Sequence, residues 1–285
     1  MNWTPEKLVL ETPGVASLPG VYARLNETVN DPRSSSRDVA GVIAEDTGLA
    51  ARLLRLANSA FFGFPSRIDT ISRAVSLVGT RQLRDLALAT SIVEQFQGVP
   101  GASVSMESFW RHSLACGVAA RILATYRREP NVERFFIAGL MHDIGRLVMF
   151  STIPEMAAEA FAEARSRGQL LYETEREVIG FDHADVGGAL LRHWKLPAHT
   201  SDAVAFHHRP GVDGAMQTDT AVVHVADLIS NAMQIGSSGE QFVPPLDTGA
   251  WQHLGLPKDI LTGTLSELER QYQDAVITIL PEALQ

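Results

Sequence analysis

Apolar residues recur along most of the chain at the three- and four-residue spacing of helices, and strand-like alternation of useful length is absent. Helix start signals repeat at each segment. Thr4-Pro5-Glu6 and Leu18-Pro19 put proline in a first helical turn. Ser35 followed by Asp38 is a capping-box pattern ahead of Val39, Val42 and Ile43. Thr47 precedes Leu49, Leu53, Leu54 and Leu56; Thr70 and Thr80 open two more segments, and Gly79 stops the first of them. Ser105 opens a long helix through Trp110, Leu114, Val118 and Ile122. Further helices are predicted near 132–149, 154–167, 172–179, 183–194, 198–208, 219–235 and 258–279. The fold class is all-α.

One break in composition divides this pattern. Gln97-Gly98-Val99-Pro100-Gly101-Ala102-Ser103 separates two helical halves, which predicts an N-terminal lobe over 1–100 and a second lobe with a helical tail over 101–285. A second loop, Gly236-Ser237-Ser238-Gly239 and Val243-Pro244-Pro245-Leu246, precedes that tail. At 285 residues, 45% hydrophobic and 20% charged, the chain has ample length for a core and the composition of a globular protein. A net charge of -9 argues against general binding to a phosphate backbone. No run of about 20 apolar residues predicts a membrane span, and no secretory signal stands at the start, so a cytoplasmic location is expected. The single cysteine, Cys116, precludes an internal disulfide and, among Ala and Val, reads as a small core residue.

The chemistry is concentrated in the second lobe, because all nine histidines fall after residue 110. His142-Asp143 sits inside Phe135-Phe136-Ile137-Ala138-Gly139-Leu140-Met141 and Ile144-Gly145-Arg146-Leu147-Val148-Met149-Phe150, the most apolar stretch of the chain. A carboxylate buried there loses its hydration at a cost of several kcal/mol unless something positive stands beside it. Asp227, between Val223 and Ile229, raises the same demand. With His112, His142, His183 and His207-His208 these two acids form a set of imidazoles and carboxylates without thiolate. Such a set suits one or two divalent ions of Fe, Mn, Ni, Co or Zn and disfavours a closed structural zinc knot. On a continuous helix over 131–149, His142 would share a turn with Ala138 and Arg146, and Asp143 would lie about 100° around.

Blander readings stand beside these. Any single buried histidine is more often bonded to a carbonyl than to a metal, and His193, His199, His224 and His253 are read that way. His207-His208 before Arg209-Pro210 also suits a helix C-terminus, and Asp182 with Asp185 suits an N-cap. Arg146 can either present charge to a phosphate or pair with Asp143. The aromatic run Phe61-Phe62-Gly63-Phe64 reads first as packing and second as a contact surface.

His112, then His142-Asp143-Ile144-Gly145, then Asp227 resembles the H…HD…D signature of the HD-domain phosphohydrolase superfamily. Leu18-Pro19, Leu53-Leu54-Arg55-Leu56-Ala57-Asn58-Ser59-Ala60, Ile71 through Gly79, and Trp194-Lys195-Leu196-Pro197 resemble its regulatory relatives, the HDOD proteins. The likeness runs from about residue 14 to about residue 235, with a weaker match at Leu254-Gly255-Leu256-Pro257. It implies an N-terminal helical bundle packed on an HD-like helical lobe, and a bacterial signal-transduction role such as response-regulator output, with no established enzymatic activity.

The resemblance also implies roles for single residues. His183 and His207-His208 correspond to the extra histidines of the HD-GYP cyclic di-nucleotide phosphodiesterases. No Gly-Tyr-Pro follows His208, where the chain runs Arg209-Pro210-Gly211, and Arg146 stands where a lysine is usual. Those departures weaken the case for cyclic di-nucleotide hydrolysis and leave metal binding untouched. Two functions follow. The favoured one is a regulatory module that binds metal and acts with signalling protein partners. The alternative is a metal-dependent phosphohydrolase or phosphodiesterase on a phosphorylated nucleotide, with Asp143 and Arg146 as its catalytic residues and His112, His142, Asp143, His183, His207, His208 and Asp227 as metal ligands.

Overall fold

Local capping chemistry sets most of the helix starts in this computed structural model, which describes residues 3–12, 18, 20–59, 61–96, 99, 104–212, 214, 216–281 and 284. Thr4 caps α1 (Pro5–Glu11), with proline at the first helical position. Helix α2 spans Gly20–Asn30. Ser35 and Asp38 close a reciprocal capping box on α3 (Ser36–Ala44). Asp46, one residue before the expected Thr47, caps α4 (Thr47–Ala57). Thr70 caps α5 (Ile71–Val78), and Gly79 at φ 101° ends it and leads into α6 (Thr80–Gln95). Ser105 caps α7 (Met106–Tyr126), the longest helix. Then follow α8 (Glu133–Met141), α9 (Ile144–Thr152), α10 (Pro154–Arg167), α11 (Leu171–Ile179), α12 (His183–His193), α13 (Ala198–Ala205), α14 (Thr218–Ala232), α15 (Thr248–Leu254) and α16 (Ile260–Ile279). No strand occurs among the described residues, so the protein is all-α. Pro19, Ala60 and most of the 97–103 break lie outside the described residues.

By contact density the chain forms two units. One draws its described residues from 17–97 and 269–285; the other draws them from 1–16 and 98–268. Each unit thus takes a terminal segment from the far end of the chain. In the unit of 17–97, α2 packs on α3 and α6, and α4 packs on α3, α5 and α6. Its core is Tyr22, Leu25, Ile43, Leu49, Leu53, Leu56, Leu83 and Leu86, all nearly or wholly buried. Phe61 is buried there, whereas Phe62 is half-buried and stacks on Phe64. Asn58 holds the following loop with its side chain, accepting from the Ile68 N–H at 2.7 Å and donating to the Ile68 carbonyl at 2.8 Å.

The other unit is built on α7, which packs against α8 and α14, while α12 packs against α9 and α13. Two glycine contacts bring these helices closer than side chains would allow. A Cβ on Gly139 of α8 would lie 2.8 Å from the Cys116 carbonyl oxygen of α7, and one on Gly117 would lie 2.8 Å from the Phe136 carbonyl oxygen. A Cβ on Gly145 of α9 would run into the His183 carbonyl oxygen and sit 2.6 Å from the Gly187 nitrogen of α12. These contacts set the spacing of the helices that carry the histidines and acids.

Two helices differ from expectation. The single helix predicted over 132–149 is two helices, because α8 stops at Met141 and α9 begins at Ile144. Asp143 (φ -99°, ψ 5°) lies in the bridge region between them. The apolar pattern runs through the break unaltered, so periodicity could not reveal it; the backbone turns where the two polar side chains must face one point. Likewise α13 ends at Ala205, short of the predicted 208, and His207-His208 stand in the turn that follows.

Gly145→Ala is expected to lower stability by about 3 kcal/mol, the upper range for overpacking a close contact. Gly180→Ala, where φ is 99° and no atom lies near the added Cβ, is expected to cost only about 1 kcal/mol of backbone strain. Urea melts of the two variants check the difference, and equal losses would contradict the close α9–α12 contact.

Candidate metal centre

Five helices and the turns after them deliver the polar groups of the second unit's interior. Helix α7 carries His112, the break between α8 and α9 carries His142 and Asp143, α12 opens with His183, the turn after α13 carries His207 and His208, and α14 carries Asp227. All are buried except His208, which is half-buried. They converge in two adjoining sets. His112, His142 and Asp227 each offer one ligand atom within a common 4.8 Å span; Asp143, His183, His207 and His208 do the same. Asp143 joins the sets. Its Oδ2 lies 3.0 Å from His142 Nε2 and 3.6 Å from His112 Nε2, while its Oδ1 lies 2.8 Å from His183 Nε2. Asp227 Oδ1 closes the first set at 3.2 Å from His112 Nε2 and 3.4 Å from His142 Nε2.

The outward-facing ring nitrogens of His142, His183 and His207 are already engaged, whereas His112 Nδ1 is buried without a hydrogen-bond partner. His142 Nδ1 is 2.7 Å from the Gly139 carbonyl oxygen and His207 Nδ1 is 2.8 Å from that of Val204, so each donates there as Nδ1–H. His183 Nδ1 faces Glu175 Oε2 at 2.6 Å. With the Nδ1 protons placed this way by the hydrogen-bond network, the Nε2 lone pairs of all three rings point at the carboxylates and at one another. His112 Nε2, His142 Nε2, His207 Nε2 and Asp143 Oδ1 are buried without a hydrogen-bond partner. Lone pairs facing carboxylate oxygens at these distances repel unless a cation lies between them. The donor set therefore fits a divalent metal, and holding the far ring nitrogen on a carbonyl or carboxylate is the usual way a metal-binding histidine is oriented.

Without a metal, protons must serve instead. Burial opposes a proton on His142, yet the adjacent Asp143 carboxylate lifts its pKa well above the ordinary value. Burial and the Arg146 guanidinium oppose one on His183, but Glu175 and Asp143 raise its pKa to about 9. Burial would raise both acids, yet Arg146, His142 and His183 hold Asp143 far below the usual carboxylate range, and the adjacent His112 and His142 imidazoles do the same for Asp227. Burial, with the neighbouring imidazoles, pushes His207 down to about 3, and burial and His207 push His208 well down too.

Arg146 lies in the same interior, 1% exposed. It donates from Nη1 to Ser238 Oγ, and its guanidinium lies 3.5 Å from Asp143 Oδ2, 3.5 Å from Glu175 Oε1 and 3.5 Å from His183 Nε2. Sequence reasoning missed Glu175, which also accepts the His183 backbone N–H at 3.0 Å. Nothing in Tyr172-Glu173-Thr174-Glu175-Arg176-Glu177 separates that buried acid from its solvated neighbours. Ser238 was seen only as loop. Tyr172, also missed, stacks on His208 with ring centroids 4.2 Å apart.

The remaining candidates find ordinary partners. His224 donates from Nδ1 to the His207 carbonyl at 2.7 Å and accepts the Asp247 N–H on Nε2 at 2.9 Å, so both its nitrogens are used in holding the His207 turn. His253 bonds Thr218. Asp182 and Asp185 form a capping box on α12. Cys116 is buried in the core, with its pKa raised by burial.

The HDOD domain family matches the chain over residues 15–210. An uncharacterised protein of Treponema pallidum (strain Nichols) is 27% identical over 195 residues, covering 68% of this chain; the match spans 37% of that longer protein. An HDOD domain protein of unknown function from Geobacter sulfurreducens shares the fold at 23% identity and TM-score 0.78, covering 93% of each chain. A candidate phosphohydrolase from Shewanella amazonensis does so at 24% identity and TM-score 0.73, covering 95% of this chain and 99% of its own.

The metal-free chain has a pH optimum of stability set by these groups. The His183 contribution is complete below about 6.5 and is lost as pH rises toward 9; the His207 contribution is present above about 6.5 and is lost as pH falls toward 3. Melting temperature in excess chelator is thus expected to peak near pH 6.5, and Glu175→Gln is expected to move the alkaline limb to lower pH. A flat profile from pH 6.5 to 9 would contradict the His183–Glu175–Asp143 arrangement.

Proposed function

We infer that this chain, which belongs to the HDOD family, is a regulatory module of signal transduction organised around a buried divalent-metal site. The observation that carries this reading is the enclosure of the cluster. His112, His142 and His183 are 0% exposed, and Asp143 and Asp227 are 2% and 4% exposed. A group of acids and imidazoles so enclosed is suited to hold helices in place and ill suited to admit a substrate. His112, His142, Asp143 and Asp227 would hold the ion, with His183, His207 and His208 beside them. A divalent ion held there supplies the positive charge that neutralises the buried acids and ties α7, α9, α12 and α14 together. Arg146 extends the network to Ser238, while its neighbours Ser237 and Gly239 line a cavity of about 560 Å³ with Ser105, Ser108 and Arg165. A change at the centre can therefore be passed to a surface where a signalling partner would read it. No described helix is long and apolar enough to cross a membrane, and the module is proposed to act in the cytoplasm.

One observation favours a second reading, a metal-dependent phosphohydrolase or phosphodiesterase acting on a phosphorylated nucleotide. Asp143 offers Oδ2 to one imidazole set and Oδ1 to the other, and half-buried His208 gives the second set an edge toward solvent. In that reading Asp143 and Arg146 would be the groups that orient the reacting phosphate.

Elemental analysis of washed protein is expected to find stoichiometric Fe, Mn, Ni or Zn. Asp143→Ala is expected to weaken metal binding at least about 10-fold, the scale for damaging a metal site's support. With Mn²⁺ or Fe²⁺ added, no turnover of a generic phosphodiester, nucleotides or cyclic di-nucleotides above the metal-only blank is expected. Turnover that vanishes in Asp143→Ala would establish the second reading instead.

A further inference from the structure

The geometry points to a single divalent ion per chain: the Arg146 guanidinium occupies the electrostatic place of a second one, and only the His112–His142–Asp143–Asp227 set binds metal. This deepens the metal reading above and rests on it. The two sets His112–His142–Asp227 and Asp143–His183–His207–His208 look equivalent when ligand atoms alone are considered, since each gathers its members within 4.8 Å. Fixed positive charge separates them. Arg146 Nη2 lies 3.5 Å from the His183 Nε2 ligand atom of the second set, whereas toward the first set the guanidinium meets a carboxylate oxygen, Asp143 Oδ2, also at 3.5 Å, with which it pairs. A guanidinium keeps its charge at any pH the protein survives. Two cations at such range repel strongly where water does not screen them.

Arg146 cannot withdraw. It is 1% exposed, donates to Ser238, and faces both Asp143 and Glu175. Its backbone is held by the Gly145 contact against α12. Finally, the one acid of the second set is Asp143, which also faces His142 and His112, and the nearby Glu175 is engaged by the His183 backbone N–H and Nδ1. The second set is thus an imidazole cluster organised around an internal cation.

Counting bound Co²⁺ on the full chain by equilibrium dialysis, with free Co²⁺ raised to saturation, tests this. One equivalent is expected for the wild-type chain. Arg146→Gln, which keeps a donor for Ser238 but removes the charge, is expected to take two, provided that it still melts cooperatively. Two equivalents in the wild-type chain would overturn the inference and leave the metal reading standing. So would one equivalent in a folded Arg146→Gln variant. No bound Co²⁺ at all would overturn both. Should Arg146→Gln fail to fold, the wild-type count decides alone.

Discussion

Negative charge placed in a dry interior must be answered by positive charge, and the second unit is arranged around that requirement. Asp143 and Asp227 are nearly inaccessible and lie among imidazoles, of which His142, His183 and His207 have their other ring nitrogen bonded to a carbonyl or to Glu175. Removing one member of such a group would leave the others uncompensated, which costs several kcal/mol. The centre is therefore a condition for the packing of α7, α9, α12 and α14 as much as a site laid upon it.

Backbone geometry meets the requirement with small means. Glycines at 117, 139 and 145 let helices approach until carbonyl oxygens occupy the space a Cβ would need. The break at His142-Asp143 turns two consecutive side chains, which a continuous helix would splay by about 100°, toward the same place, with His142 Nε2 3.0 Å from Asp143 Oδ2. His224 then fixes the His207 turn through both ring nitrogens. Each device is ordinary, and together they bring residues separated by more than a hundred positions within ligand distance.

Much of this could be read from the chain. The all-α class followed from periodicity and caps, and the box at Ser35–Asp38 and the N-cap at Asp182 formed as their sequence patterns indicated. The convergence of His112, His142, Asp143, His183, His207, His208 and Asp227 was foreshadowed by an acid stranded in apolar company, an anomaly that burial energetics makes conspicuous. Other features left no such mark. The helix break lies in an unbroken apolar run, so its cause is tertiary. Glu175 sits among acids and arginines that look like a solvated face, and only the fold turns it inward. The terminal segments that trade places between the two units contribute packing that no local pattern encodes.

Anomalous diffraction from crystals of the purified protein, collected on either side of the metal's absorption edge, tests the central claim most directly. The account predicts a strong difference peak about 2.0–2.3 Å from His112 Nε2, His142 Nε2 and the carboxylate oxygens of Asp143 and Asp227. Density showing those side chains bonded only to one another, with no anomalous signal between them, would contradict it.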